Sequence, residues 1–278
     1  MTPEAAPATA TGITASLAEA IAITPDGERL HAHVHEGWDV FGIPHGGYLA
    51  ALAGNAVLTA TGQPDLFSIT THYLRKAAVG PMRFEVERVG GSRRFTTVTA
   101  RAWQDDQLVL SVMASVGDRT GIEGPSWTDA PAPALTEAQL SPRAGDPSLP
   151  FTPPAVAARL GLRIEAATAG FAVGRTGDQA RIRGVLSAPP GDPTDQLLAL
   201  VACDLTPPAV WNALGVKGWV PTVELTAHVR ARPIAGPLTV DVRTSHVADG
   251  FLDEDALVYD SAGALVVQSR QLARWTSA

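Results

Sequence analysis

Apolar and polar positions along the chain fall into two blocks of similar pattern. In the first, Arg83 to Arg88 (RFEVER), Arg94 to Trp103 (RFTTVTARAW) and Leu108 to Val116 (LVLSVMASV) alternate or concentrate β-branched and aromatic residues, which predicts strands. Val89-Gly90-Gly91-Ser92 and Gln104-Asp105-Asp106 supply the turns between them. In the second block Leu238 to Ser245, Asp255 to Tyr259 and Ala264 to Leu272 read the same way, with Asp260-Ser261-Ala262-Gly263 as a hairpin turn. Both blocks are antiparallel meanders. Each is preceded by a stretch that is apolar nearly all round: HGGYLAALAGNAVLTATG after Pro44 and TDQLLALVACDLTPPAVWNALG after Pro193. That pattern predicts helices enclosed on most sides. Their small residues, among them Gly46, Gly47, Ala50, Ala199, Ala202 and Cys203, let a sheet approach the helix axis.

The likeness of the blocks is an internal repeat. Ile69-Thr70-Thr71-His72 matches Leu225-Thr226-Ala227-His228, and Gly80-Pro81 onward matches Gly236-Pro237 onward, both at an offset of 156 residues. The same offset pairs Phe95 with Phe251, Trp103 with Tyr259, Val109-Leu110 with Leu265-Val266 and Ser115 with Gln271, which predicts ungapped register. Between the copies, residues 121–154 are dense in proline and poor in periodicity, and read as a linker. The expected organisation is an N-terminal unit at 1–120, the linker, and a C-terminal unit at 155–278. The expected fold is α+β, with two curved antiparallel sheets each wrapped around a long buried helix.

Composition narrows the function classes. Of 278 residues, 45% are hydrophobic and 18% charged with no repetitive tract, which excludes a disordered or fibrous chain. A net charge of -7 argues against a nucleic-acid partner, because the surface repels phosphates. The single cysteine, Cys203, rules out a disulfide framework and a cysteine-clustered zinc site and fits a reducing compartment, so a cytoplasmic protein is expected. On a buried helix it reads as a small core residue, not a nucleophile. The N-terminus, MTPEAAPATATGITASLAEA, lacks the basic start and apolar block of a signal peptide, and no apolar run is long enough to span a membrane.

Candidate chemistry clusters at the helices. Asp204 sits inside the second predicted helix, where a carboxylate is costly without partners; it is either a site residue or a cap for the Pro207-Pro208-Ala209-Val210-Trp211 segment. His45-Gly46-Gly47-Tyr48 opens the first helix, where free N–H groups and the helix dipole favour an oxyanion or a substrate contact; the alternative is close packing of glycine against the sheet. His31, His33 and His35 share a face if they lie on a strand, but a metal normally needs ligands from more than one element, so no metal site is expected. His72 and His228 occupy equivalent repeat positions, which suits a pseudo-symmetric structural role. Aligning the helices on Pro44 and Pro193 sets Asn55 opposite Asp204, as the meander offset sets Ser115 opposite Gln271, so one site per chain is expected, in the second half.

A family resemblance ties these residues together. Phe41-Gly42-Ile43-Pro44-His45-Gly46-Gly47-Tyr48 resembles the glycine-rich entry to a hotdog helix, and Thr71-His72-Tyr73-Leu74-Arg75 followed by Gly80-Pro81 resembles the strand and turn after it in thioesterase-like proteins. Cys203-Asp204-Leu205-Thr206-Pro207-Pro208, Pro221-Thr222-Val223-Glu224-Leu225-Thr226, Arg232-Pro233 and Val267-Gln268-Ser269-Arg270-Gln271 are similar to the C-terminal half of the acyl-CoA thioesterase II family. The resemblance spans roughly residues 28–118 and 185–275. It implies a double hotdog that hydrolyses acyl-CoA to free acid and CoA without a cofactor, using an Asp, a hydroxyl and a Gln to orient water. These carry over to Asp204, Thr222 and Gln271, with His45, Gly46, Gly47 and Tyr48 as substrate contacts to the pantetheine arm. Counting back from Arg232-Pro233 lands on Val223, one residue beyond Thr222, and leaves Thr226 as the other hydroxyl. Arg75, Lys76, Arg93, Arg94, Arg230 and Arg232 are the cations available to the CoA phosphates. A homodimer or larger assembly is expected by family analogy and from free sheet edges. Two other functions remain in view. One is a non-catalytic acyl-CoA or lipid binder. The other is a hydratase or dehydratase, which uses a His a few residues after the Asp, where LTPPAVWNALG offers none.

Overall fold

The computed structural model describes residues 15–149 and 151–275; the first fourteen residues, which carry most of the leader-peptide expectation, lie outside them. In the first half a strand β1 (Arg29–Val34) leads to helix α1 (Gly46–Thr61) and then to β2 (Asp65–Tyr73), β3 (Gly80–Gly91), β4 (Phe95–Gln104) and β5 (Gln107–Gly117). The second half repeats the series with β6 (Arg181–Leu186), α2 (Gln196–Ala202), β7 (Thr222–Val229), β8 (Leu238–Arg243), β9 (Phe251–Tyr259) and β10 (Leu265–Arg274). Side chains alternate in burial along these strands, as in β10, whose Val267, Ser269, Gln271 and Ala273 face inward. All pairings between the labelled strands are antiparallel.

The two sheets expected from the sequence are one. The path runs β1-β3-β4-β5-β2 in the first half and continues β7-β10-β9-β8-β6 in the second, within a 13-stranded sheet. The junction is β2 against β7, with Thr70 directly opposite Thr226 and their hydroxyls 2.9 Å apart. Those two threonines are repeat equivalents, so the pseudo-two-fold axis of the repeat passes between them. Pairing covers the two edges that a separate meander would leave open. The outer ends of the sheet are only the short strands Thr24–Asp26 and Arg163–Ile164. The free-edge reason for expecting a homo-oligomer therefore does not apply.

The repeat is also not ungapped. Trp103 pairs with Leu108 across the first hairpin and Tyr259 with Leu265 across the second, so the second turn is one residue longer. On β10 the offset becomes 157, and Gln271, opposite Leu225, corresponds to Ala114, opposite Ile69, not to Ser115.

The helices also differ from expectation. Helix α1 is long and buried over most of its length, with His45 as its N-cap. Helix α2 has only seven residues, capped by Asp195, whose carboxylate accepts the Leu197 and Leu198 N–H groups at 2.9 Å. It ends in a turn, with the Asp204 and Leu205 N–H groups bonded to the Val201 and Ala202 carbonyls, and Pro207, which offers no N–H and disfavours a helical Thr206, keeps it from resuming there. The expected continuous second helix is a short helix, a turn and a four-residue helix at Trp211–Leu214, and Asp204 stands past the end of α2. The two helices pack on each other inside the sheet, and their leucines, alanines and valines form one continuous core with the inner strand faces. Residues of the expected linker run along the second half: the Tyr259 hydroxyl donates to the Ala130 carbonyl at 2.9 Å, and the Ser141 and Ile164 backbones are bonded. No helix among the described residues is long and apolar enough to cross a membrane.

Candidate active site

Asp204 is held from the opposite half of the chain. Its Oδ2 accepts the Gly47 N–H at 2.8 Å, at the first turn of α1, where the helix dipole favours negative charge. The His45 Nε2 lies 2.8 Å from the Asp204 carbonyl oxygen and 3.4 Å from Oδ2, while its Nδ1 accepts the Tyr48 N–H at 3.2 Å. An acceptor at Nδ1 and a donor at Nε2 define a neutral imidazole. The N–H groups of Gly47 and Tyr48, expected from sequence to be free for an oxyanion, are thus both taken by protein partners. Tyr48 itself is fully buried; its hydroxyl donates to the Ala20 carbonyl at 2.9 Å, and burial pushes its pKa up to about 12.

The two glycines are required by close approach. A Cβ on Gly46 would lie 2.7 Å from Asp204 Oδ2, and one on Gly47 would lie 2.9 Å from the Val201 carbonyl and 3.0 Å from Asp204 Cβ. The packing and the functional readings of this motif converge, since the atom that the missing Cβ makes room for is the candidate carboxylate. Tyr73, at the end of β2, closes the other side: its hydroxyl donates to the Gly46 carbonyl at 2.8 Å. Burial, with the charge of Asp204 second, holds the Tyr73 phenol well above its ordinary range.

Thr222 and Gln271 meet on the inner face of the sheet, where the Thr222 hydroxyl donates to Gln271 Oε1 at 2.7 Å. A β-bulge makes this possible. Thr222 pairs with Ala273 but Glu224 with Leu272, so Val223 is the extra residue and Thr222 is turned to the face that Glu224 and Thr226 do not share. The one-residue surplus in the sequence count is this bulge. Thr226 points outward to the pseudo-axis, hydrogen-bonded to Thr70 and to Glu224, and is separated from Gln271 by the sheet.

Sequence reasoning missed Glu254 on β9. It is buried and directly opposite Gln271 in register, with the Gln271 amide among the groups that act on its charge, and its Oε1 accepts the Ala209 N–H at 3.2 Å. Burial pushes its carboxyl up to about 8, and the charge of Asp204 adds to the rise. The signal was present: in Leu252-Asp253-Glu254-Asp255-Ala256 an acid occupies the inward phase set by Leu252 and Ala256.

Cys203 is buried, its thiol donates to the Leu200 carbonyl, and burial pushes its pKa up to about 12, as suits a core residue and not a nucleophile. Of the candidate cations, Arg75 and Lys76 are exposed directly after Tyr73, whereas Arg232 is bonded to the fully buried Asp65 at 2.6 and 2.7 Å. His31 and His33 are exposed on β1, and His35 lies just beyond it; among the described residues no cluster could hold a metal ion. Asn55 is bound elsewhere, donating to the Ile21 carbonyl at 2.7 Å.

Comparison with known proteins gives a consistent result. A candidate thioesterase II from Thermobifida fusca is 28% identical with a TM-score of 0.82, covering 93% of this chain and 96% of that one. A hotdog-fold protein of unknown function from Alicyclobacillus acidocaldarius, 22% identical, superposes with a TM-score of 0.79 over 94% of this chain and 98% of its own. The acyl-CoA thioesterase II TesB2 of Mycobacterium marinum, 18% identical, gives 0.74 over 95% and 99%. An uncharacterized protein of Mycobacterium tuberculosis is 28% identical over 259 residues, 86% of this chain and 88% of that one. The acyl-CoA thioesterase N-terminal domain matches residues 34–117 and the acyl-CoA thioesterase C-terminal domain residues 130–274. With an α+β architecture of hotdog neighbours and matches across both halves, the chain belongs to the acyl-CoA thioesterase family.

Proposed function

We propose that the protein hydrolyses an acyl-CoA thioester to the free acid and CoA, with Asp204, Thr222 and Gln271 positioning the water. The observation that carries this is the Thr222–Gln271 hydrogen bond on the inner face, with Glu254 directly opposite Gln271 and bonded to the Ala209 N–H in the segment after Asp204. Oδ2 of Asp204 is fixed by Gly47, and Oδ1, which takes no part in that contact, accepts a proton from the attacking water. Thr222 and Gln271 hold the water's remaining hydrogen-bonding positions, so that its lone pair faces the thioester carbon. The N–H of Gly46, first of α1 and at its positive end, is the donor for the carbonyl oxygen as charge develops there. Collapse of the tetrahedral intermediate expels the CoA thiolate. Arg75 and Lys76, exposed directly after Tyr73, supply the cations for the phosphates of CoA.

In this reading the chain is a double hotdog, 1–120 and 155–278 joined by 121–154, acting in a reducing cytoplasm as a homodimer or larger assembly. A hydratase would pair Asp204 with a histidine, and His45 does stand beside it although none follows it in sequence. Both ring nitrogens of His45 are occupied and the residue is 4% exposed, which leaves none to exchange a proton with substrate. Release of free thiol from short, medium, long and aromatic acyl-CoAs tests the proposal, with the wild type active and Asp204→Asn nearly inactive. Acyl-CoA binding without release by either protein would assign the chain to the non-catalytic binders. Equal rates for the two proteins would remove Asp204 from the mechanism.

A further inference from the structure

Glu254 takes no part in the water-holding set, yet it is the acid buried deepest beside it. An inward carboxyl on β9 is costly unless its oxygens find donors, and the donors it finds belong to the site. One is the Ala209 N–H, 3.2 Å from Oε1, in the segment that follows Asp204. The other donor within its reach is the side-chain amide of Gln271, directly opposite it across the β9–β10 pair and on the same inward face. A carboxamide has one oxygen and one NH2, and the Gln271 oxygen is taken by the Thr222 hydroxyl at 2.7 Å, so its NH2 is the end that meets Glu254. At the equivalent positions of the first half stand Val98 and Ala114, both apolar and buried.

We propose that Glu254 is a positioning residue of the hydrolytic site, anchoring the Gln271 NH2 so that Oε1 stays turned to Thr222 and the pair offers one fixed orientation to the water. The inference rests on the thioesterase reading above. Without the anchor the carboxamide can flip and exchange its acceptor for a donor. The charged groups facing Glu254 are Asp204, from the turn after α2, and Asp253, its neighbour on β9; Gln271 on β10 and the Ala209 N–H are neutral. Around Asp204, burial holds Tyr73 and Cys203 neutral, and His45 has the hydrogen bonds of a neutral ring. With its carboxyl pushed up to about 8 by burial, Glu254 is neutral at pH 7 and adds no second negative charge as the oxyanion forms. Ionisation above that value places the charge there, and turnover falls.

Released thiol, corrected for spontaneous hydrolysis, is measured from about pH 5.5 to 9.5. The wild type is expected to lose kcat on the alkaline side with a midpoint near 8. Glu254→Leu, which removes the anchor, lowers kcat roughly 30-fold and moves KM less than about threefold. Glu254→Gln, which keeps an acceptor, lowers kcat only about threefold and lacks the alkaline decline. A Glu254→Leu kcat within about twofold of wild type, or the same decline in Glu254→Gln, would overturn the proposal. The Gln271 side-chain NH2 resonances, assigned against Gln271→Ala, decide it without turnover. They are expected to titrate with the same midpoint in the wild type and not in Glu254→Gln. A wild type that hydrolyses no acyl-CoA defeats the thioesterase reading alone; absence of the amide titration defeats the anchor alone.

Discussion

The two halves of the chain share strands, turns and helices but not the chemistry of their inner faces. Where the second half carries Thr222, Glu254 and Gln271, the register places Leu66, Val98 and Ala114 in the first, all three buried. The helix starts differ in the same sense. Asp195 uses its own carboxylate to cap α2, so those N–H groups are closed to any partner, whereas α1 begins with two glycines and lends an N–H to Asp204. At Val229, the repeat counterpart of Tyr73 at the end of β7, the Arg119 guanidinium instead stacks 4.1 Å above the Phe67 ring and donates to the Leu66 and Val229 carbonyls. Duplication kept the scaffold on both sides because both copies must close one core. The polar side chains of the candidate site are bonded where they face inward, as Thr222 is to Gln271 and Glu254 is to the Ala209 N–H, since a buried polar group without a partner costs about 1–3 kcal/mol.

That contrast can be broken most sharply at Asp204. Asp204→Asn keeps the shape and removes the base, and kcat should fall roughly 10²- to 10⁴-fold with the melting temperature nearly unchanged. Gly46→Ala makes the start of α1 more like that of α2. Its Cβ would meet Oδ2 at 2.7 Å, so Asp204 must move, with an expected cost of about 1–3 kcal/mol in denaturant unfolding and a clear loss of kcat. Thr222→Val, which makes this position apolar like its counterpart Leu66, should lower kcat about tenfold through loss of one hydrogen bond. Thr226→Val should change kcat by less than about twofold while costing about 1 kcal/mol at the junction of the halves. The smallest effect is expected of Asn55→Ala: turnover within about twofold of wild type and a stability loss of about 1 kcal/mol from the bond to Ile21.

Much of the fold was legible because periodicity and turn chemistry are local. The meanders, the buried first helix and the repeat follow from alternation, from Gly80-Pro81 and Gly236-Pro237, and from the apolar run after Pro44. What escaped depends on single residues that reset register. One extra residue in the second hairpin moves the partner of Gln271 from Ser115 to Ala114. The bulge at Val223 decides between Thr222 and Thr226, since each slip of one residue reverses the face. The end of α2 before Pro207 was readable from proline alone but was masked by the apolar run on both sides of it. The hold of His45 and Gly47 on Asp204 joins positions about 160 residues apart, which no local pattern reports. Union of the two sheets is of the same kind, a meeting of edges that each half could have left open.

The Thr70–Thr226 pairing bears on how the protein is made. Strand β2 leaves the ribosome about 150 residues before β7 exists, roughly ten to thirty seconds at ordinary rates of synthesis. Through that interval its edge, DLFSITTHY, carries neither a lysine nor a proline to discourage another strand. The nascent first half is therefore self-complementary about the very axis that its own second half will later occupy. Tethering that second half in the same polypeptide gives the correct partner a high effective concentration as soon as it emerges, ahead of a neighbouring chain.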